Sequence, residues 1–170
     1  MKKLVIVLSF FFALFFLSCS KKTSRSLFEE ALNHIEKGHY LKALDCYKKI
    51  VNDFKNDSLA STALFEIAKM YQSKLFNDID EKKSFEYAVE FYSLILSNYP
   101  ASKEEPFALF MIGYIENNYL NNYEKAKEAY EKFLNKYPQH ELSLSAKVEL
   151  ENIGKPPEEI LKSISLSNEK

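Results

Sequence analysis

The chain has 170 residues, 46 % apolar and 28 % charged, with 23 Lys+Arg against 24 Asp+Glu. That balance suits one folded domain rather than a disordered chain, and it excludes the strong basic excess of a nucleic-acid binder. Three Gly and five Pro are too few turn residues for an all-β sandwich.

Lys2 and Lys3 precede Leu4 to Leu17, an almost unbroken apolar run holding Phe10, Phe11, Phe12, Phe15 and Phe16. As a helix this run would reach about 21 Å at 1.5 Å per residue. A hydrocarbon core is about 30 Å thick, so the run is short for a stable span and fits the apolar region of a secretory signal. Phe16-Leu17-Ser18-Cys19 resembles a bacterial lipobox, although Phe16 stands where that motif usually has Leu. The resemblance implies a lipid, with palmitate-type chains, on Cys19 and cleavage just before it. Residues 1–18 are then a lipoprotein signal peptide and 19–25 a lipidated tether. Several acyl chains anchor durably, because each buried methylene adds about 0.8 kcal/mol. Cleavage after Ser20 without lipid and an uncut N-terminal anchor are the competing readings, and all three export the domain. Ser20 is not the acidic residue that retains some lipoproteins at the inner membrane, so the expected location is periplasm-facing on the outer membrane.

Beyond the tether, apolar residues recur at helical spacing. Helices are expected near 25–37, 40–54, 58–74, 82–98, 103–118, 123–136 and 141–152, within a domain spanning 26–153 and followed by a short tail, 154–170. Ser26-x-x-Glu29, Ser102-x-x-Glu105 and Asn121-x-x-Glu124 read as capping boxes or close variants. In the last helix, Leu142, Leu144, Val148 and Leu150 are expected to face the core, with Lys147, Glu149 and Glu151 in water.

Three segments align without a gap: Tyr40 to Ala63, Phe85 to Ala108 and Tyr123 to Ala146. Each opens on an aromatic (Tyr40, Phe85, Tyr123). Each then carries alanine (Ala43, Ala88, Ala126), tyrosine (Tyr47, Tyr92, Tyr130), an aromatic (Phe54, Tyr99, Tyr137) and a final alanine (Ala63, Ala108, Ala146) at the same offsets. These offsets place the alanine and both later rings on one helix face. Pro100 and Pro138 then stop the helix, since proline lacks the amide hydrogen. An amphipathic helix precedes each segment, with a small residue, Ala31, Ala68 or Gly113, at the contact point.

This pattern is similar to the tetratricopeptide repeat. The intervals of the three segments are 45 and 38 residues, longer than the usual 34-residue repeat. The long turns, as in NYPASKEEPFALFMIGYI, resemble those of periplasmic lipoproteins of the BamD/ComL type; the familiar leading tryptophan is absent. The resemblance implies an all-α, antiparallel helix-pair solenoid of three pairs and a C-terminal capping helix. It also implies that the first helices of the pairs line a groove. With Ala68 and Gly113 at the small site, Phe65, Lys69, Gln72, Phe110, Tyr114, Asn117 and Asn118 would face that groove and bind a protein or peptide. The competing reading is that Phe65 and Phe110 pack against the next helix. The implied function is a non-catalytic, membrane-anchored interaction scaffold of the cell envelope, holding an envelope protein such as a β-barrel assembly component. A periplasmic coordinator of cell-wall or Tol-Pal-like machinery is the alternative.

No catalytic motif is legible. His34, His39 and His140 lack the spacing of HExxH or CxxC metal sites, so they read as solvated or capping residues and no metal or other cofactor is expected. Cys46 is the one cysteine besides Cys19 and reads as a small packing residue. Gly113 reads as a helix contact, Gly38 as a turn and Gly154 as a helix stop. Glu29-Glu30 and Glu104-Glu105 read as first-turn acids favoured by the helix dipole.

Overall fold

A computed structural model describes residues 22–156 and 158–159. The expected signal peptide, Cys19 and most of the tail lie outside them. The described residues form seven helices and no strand: α1 Ser24–Glu36, α2 Tyr40–Asp53, α3 Ser58–Gln72, α4 Glu81–Asn98, α5 Glu105–Asn118, α6 Tyr123–Lys136 and α7 Ser143–Glu151. None of these helices is long and apolar enough to cross a membrane. Each packs on its neighbours in sequence, and α1 also touches α3. The result is the expected all-α solenoid of three pairs, α1/α2, α3/α4 and α5/α6, closed by α7.

The aligned alanines and tyrosines are the core, while the opening aromatic Tyr123 is exposed. Ala43, Ala88 and Ala126 are buried, as are Tyr47, Tyr92 and Tyr130. Around them Leu64, Ile67, Ile95 and Phe133 are fully buried, each contributing about 1.5–3 kcal/mol. The small contact points behave as their size dictates. Ala31 and Ala68 are fully buried, and a Cβ built on Gly113 would stand 2.8 Å from the Tyr130 ring. Only glycine lets α5 and α6 approach that closely.

The helix starts differ from the capping boxes read from sequence. Thr23, not Ser26, caps α1; Ser26 is its third-residue partner, and the two bonds reciprocate. Helix α5 starts at Glu105 after Glu104, and α6 starts after Asn122, neither with a side-chain cap. Asp57 and Asp80 cap α3 and α4 through Leu59 N–H and Lys83 N–H. Gly38 (φ 71°) and Gly154 (φ 70°) adopt the left-handed conformation that ends a helix without a Cβ penalty.

The face of α7 also differs. Its buried residues are Ser143 and Ala146, while Leu144 is 74 % and Val148 49 % exposed. Leu142 and Leu150 do pack against the α5/α6 core. Glu149, expected in water, is half-buried, and that burial raises its carboxyl above the usual range against a bond from Asn118. Ala146, aligned with Ala63 and Ala108, is the inward alanine. The matching positions of α3 and α5 are covered by a following helix, and among the described residues no helix follows α7 to cover Leu144 and Val148.

Candidate protein-interaction face

The first helices of the second and third pairs, α3 and α5, carry all seven residues expected to line a groove. On α3, Phe65 is half-buried and meets the Tyr92 ring edge-on, centroids 5.3 Å apart. Gln72 accepts a hydrogen bond from the Tyr92 hydroxyl at 2.9 Å. Lys69 is exposed and pairs with Glu66 at 3.0 Å. On α5, Phe110 meets Tyr130 at 5.6 Å and Phe133 at 6.1 Å. Tyr114 is half-buried beside Tyr119 at 5.9 Å. Asn117 accepts from Gly154 N–H at 3.2 Å, and exposed Asn118 donates to the Tyr114 carbonyl at 2.9 Å. Phe65 and Phe110 therefore pack on the second helix of their own pair, while both keep part of the ring accessible.

Where α3 and α5 come together, Thr62, Phe65, Glu66, Lys103, Glu104 and Phe107 line an open pocket of about 320 Å³. Phe107 and Phe65 lie 6.5 Å apart across it. Of these six residues only Phe65 was expected to line the groove. The missed signal was Phe107, three residues before Phe110 and so beside it on one helix face.

Three buried glutamates, Glu104, Glu105 and Glu116, join neighbouring elements here, and Glu104 also lines the pocket. Glu104 accepts from Ser61 Oγ at 2.9 Å and Thr62 Oγ1 at 2.6 Å, tying α3 to the start of α5. Glu105 accepts from Ala101 N–H, from Lys136 Nζ and from the Tyr137 hydroxyl. Burial alone would raise the Glu105 carboxyl, but Lys136, Tyr137 and the Ala101 amide together hold it below its usual range. Glu116 accepts from Asn122 Nδ2 at 2.6 Å and lies 3.8 Å from Lys125. Glu105 stands in the first turn of α5, as expected, with Glu104 just before it, and both enclosed carboxylates also tie elements together.

The histidines fall in three settings. His140 Nδ1 accepts from Leu142 N–H at 3.2 Å, and its ring packs on Phe107, Phe133 and Tyr137. His39 stands at the cap of α2 without a side-chain bond there. His34 lies against Glu30 on α1 and close to Cys46 on α2, so it is neither freely solvated nor a cap. Cys46 is buried among core residues, as a packing residue would be.

No curated protein matches the chain. Residues 107–140, which cover nearly all of α5, all of α6 and the turn after it, match the tetratricopeptide repeat family. The described residues are all-helical and contain a tetratricopeptide-type repeat, an architecture whose curved stack suits protein partners.

Proposed function

We propose that this protein is a non-catalytic scaffold of the bacterial envelope, held by lipid on Cys19 to the outer membrane and facing the periplasm. Its repeats hold an envelope protein during outer-membrane protein assembly. The observation that carries the binding role is the pocket between α3 and α5, where Phe65 and Phe107 lie beside Thr62, Glu66, Lys103 and Glu104. Half-exposed rings among polar groups suit a peptide or helix ligand, the rings giving contact area and the polar rim orientation. The apolar run after Lys2-Lys3 and the Ser18-Cys19 pair support the anchor.

Two experiments test the two halves separately. A photo-crosslinking residue at 107, in whole cells, should capture a discrete envelope protein. Capture should fall when Phe65→Arg is added to a chain whose circular dichroism is unchanged. No specific adduct, or one indifferent to Phe65→Arg, would reject the pocket. Labelled palmitate should enter the wild-type chain and not Cys19→Ala, which should leave the membrane fraction. Equal labelling of both would reject the anchor. A captured cell-wall enzyme would move the role to the periplasmic-coordinator reading.

A further inference from the structure

Where α1 and α2 meet, away from the α3/α5 pocket, the fold gathers a sulfur, an imidazole and a carboxylate. Glu30 and His34 are one turn apart on α1, and Glu30 Oε1 lies 3.9 Å from His34 Nε2. Cys46 arrives from α2, and one ligand atom from each of the three lies within 4.8 Å of the others. We propose that Glu30, His34 and Cys46 form a binding site for a zinc-class divalent cation.

The donor set is the first argument. Cysteine sulfur, histidine nitrogen and a carboxylate oxygen are the donors that zinc takes, and three protein ligands leave a fourth position open. Around a tetrahedral ion with bonds of about 2.0–2.3 Å, neighbouring donors stand roughly 3.3–3.7 Å apart. The Glu30–His34 separation is already close to that, and side-chain rotation closes the rest. Thiolate sulfur favours zinc over magnesium, calcium or manganese, which prefer all-oxygen sites.

The surroundings are the second argument. Glu30 splits its two oxygens: Oε2 accepts from Lys22 Nζ, while Oε1 faces His34. Lys22 can thus stay in place and orient the carboxylate, as outer partners of metal ligands do. Cys46 is 5 % exposed, whereas Glu30 and His34 are half-buried, so an ion would enter from the Glu30 side and meet the sulfur at the back. His34 Nδ1 is buried without a hydrogen-bond partner, so no protein group fixes which ring nitrogen carries its proton. The His39 ring lies 5.9 Å from that of His34 but is exposed and outside the three-donor cluster, so the fourth position stays open. On binding, the Cys46 thiol proton leaves to solvent. Thiolate and carboxylate then balance the two charges of the ion. This inference is independent of the lipid anchor and of the protein partner.

The test is cobalt titration of the full chain, purified in detergent and stripped with chelator. The expected result is one Co²⁺ per chain, with a tetrahedral visible spectrum and a sulfur-to-cobalt charge-transfer band. Stoichiometric Zn²⁺ should erase both, and excess Mg²⁺ neither. Cys46→Ser keeps Cys19, so loss of its charge-transfer band assigns the sulfur. Glu30→Gln and His34→Gln, at partly exposed positions, should each weaken Co²⁺ binding tenfold or more with circular dichroism unchanged. A wild-type chain with native circular dichroism and no band overturns the site. So does a band that survives in Cys46→Ser, or affinities unmoved in both α1 variants.

Discussion

The second and third helix pairs solve the same packing problem with different atoms. In α3/α4, Ala68 is the small residue, and the Tyr92 hydroxyl donates to Gln72 on the facing helix. In α5/α6, Gly113 is the small residue, and the Tyr130 ring comes so close that a Cβ would stand 2.8 Å away. The position matching Gln72 is Asn117, which accepts from Gly154 instead, and the buried Tyr130 hydroxyl has no protein partner. The first pair resembles the third here: the matching residue is Ile35, and Tyr47 is likewise buried and unpartnered. At the repeat tyrosine, one pair carries a directed hydrogen bond and the other two only ring contact. Ring contact tolerates sliding but not added volume, and a hydrogen bond shows the reverse sensitivity.

The sharpest way to break the comparison is to add volume at the closest approach. Gly113→Val puts branched carbon into the Tyr130 ring, and overpacking of this kind costs about 1–3 kcal/mol. A β-branched residue does gain helix propensity over glycine, by a few tenths of a kcal/mol, so the net loss should be about 1–2.5 kcal/mol in urea denaturation. An equal loss from Ala68→Val would show that the two pairs are equally tight. A further contrast lies in Glu105, which stitches the start of α5 to the end of α6. Glu105→Gln keeps the shape but removes the charge that Lys136 and Tyr137 address, and hydrogen bonds to a charged group are worth about 1.5–3 kcal/mol each. A loss of about 2 kcal/mol is expected, because Lys136 reaches water once released. The carboxyl is held below its ordinary value in the fold, so its contribution is complete at neutral pH. That contribution fades as pH falls below the ordinary carboxylate range. Melting curves of wild type and Glu105→Gln should therefore converge toward low pH.

Much of this was legible before any coordinates. The Ala-Tyr-aromatic offsets carry the α2, α4 and α6 faces, and Gly113 was readable as a contact point because it replaces alanine within a helix. Three features were not legible, for physical reasons. Periodicity gave α7 a Leu142/Leu144/Val148/Leu150 face, of which Leu142 and Leu150 pack, but the pattern does not say that no further helix follows among the described residues to cover Leu144 and Val148. The glutamate ties depend on what lies opposite, and Ser61 sits 43 residues from Glu104. The Glu30–His34–Cys46 cluster spans two helices, so only the antiparallel turn at Gly38 brings its members together. The seven residues expected at a groove lie on α3 and α5, but the packing of Phe65 and Phe110 depends on Tyr92 and Tyr130 of the neighbouring helices.

A smaller effect should separate the tyrosines. Tyr92→Phe leaves the Gln72 amide without its donor and should cost about 1 kcal/mol. In contrast, Tyr47→Phe and Tyr130→Phe remove hydroxyls that make no bond. Those two should be neutral or slightly stabilising, since a buried unpaired hydroxyl is itself unfavourable. If urea midpoints fall equally in all three, a buried water serves Tyr47 and Tyr130, and the contrast between pairs dissolves.

The smallest effect tests the end of the stack. Val148 occupies the position of Phe65 and Phe110, counted from the aligned alanines, yet it is 49 % exposed where those rings pack on a second helix. Leu144, one turn earlier, is 74 % exposed. Substitutions at open surface sites usually stay within about 0.5 kcal/mol, so Leu144→Ser with Val148→Thr should barely move the urea midpoint. The matching double change at Phe65 and Phe110 should cost several kcal/mol, since large-to-small changes of packed aromatics run to about 3–5 kcal/mol each. A loss above 1 kcal/mol from the α7 pair would mean that something covers this face in solution. The distinction between a packed pair and an open end would then lie further along the chain than Glu151.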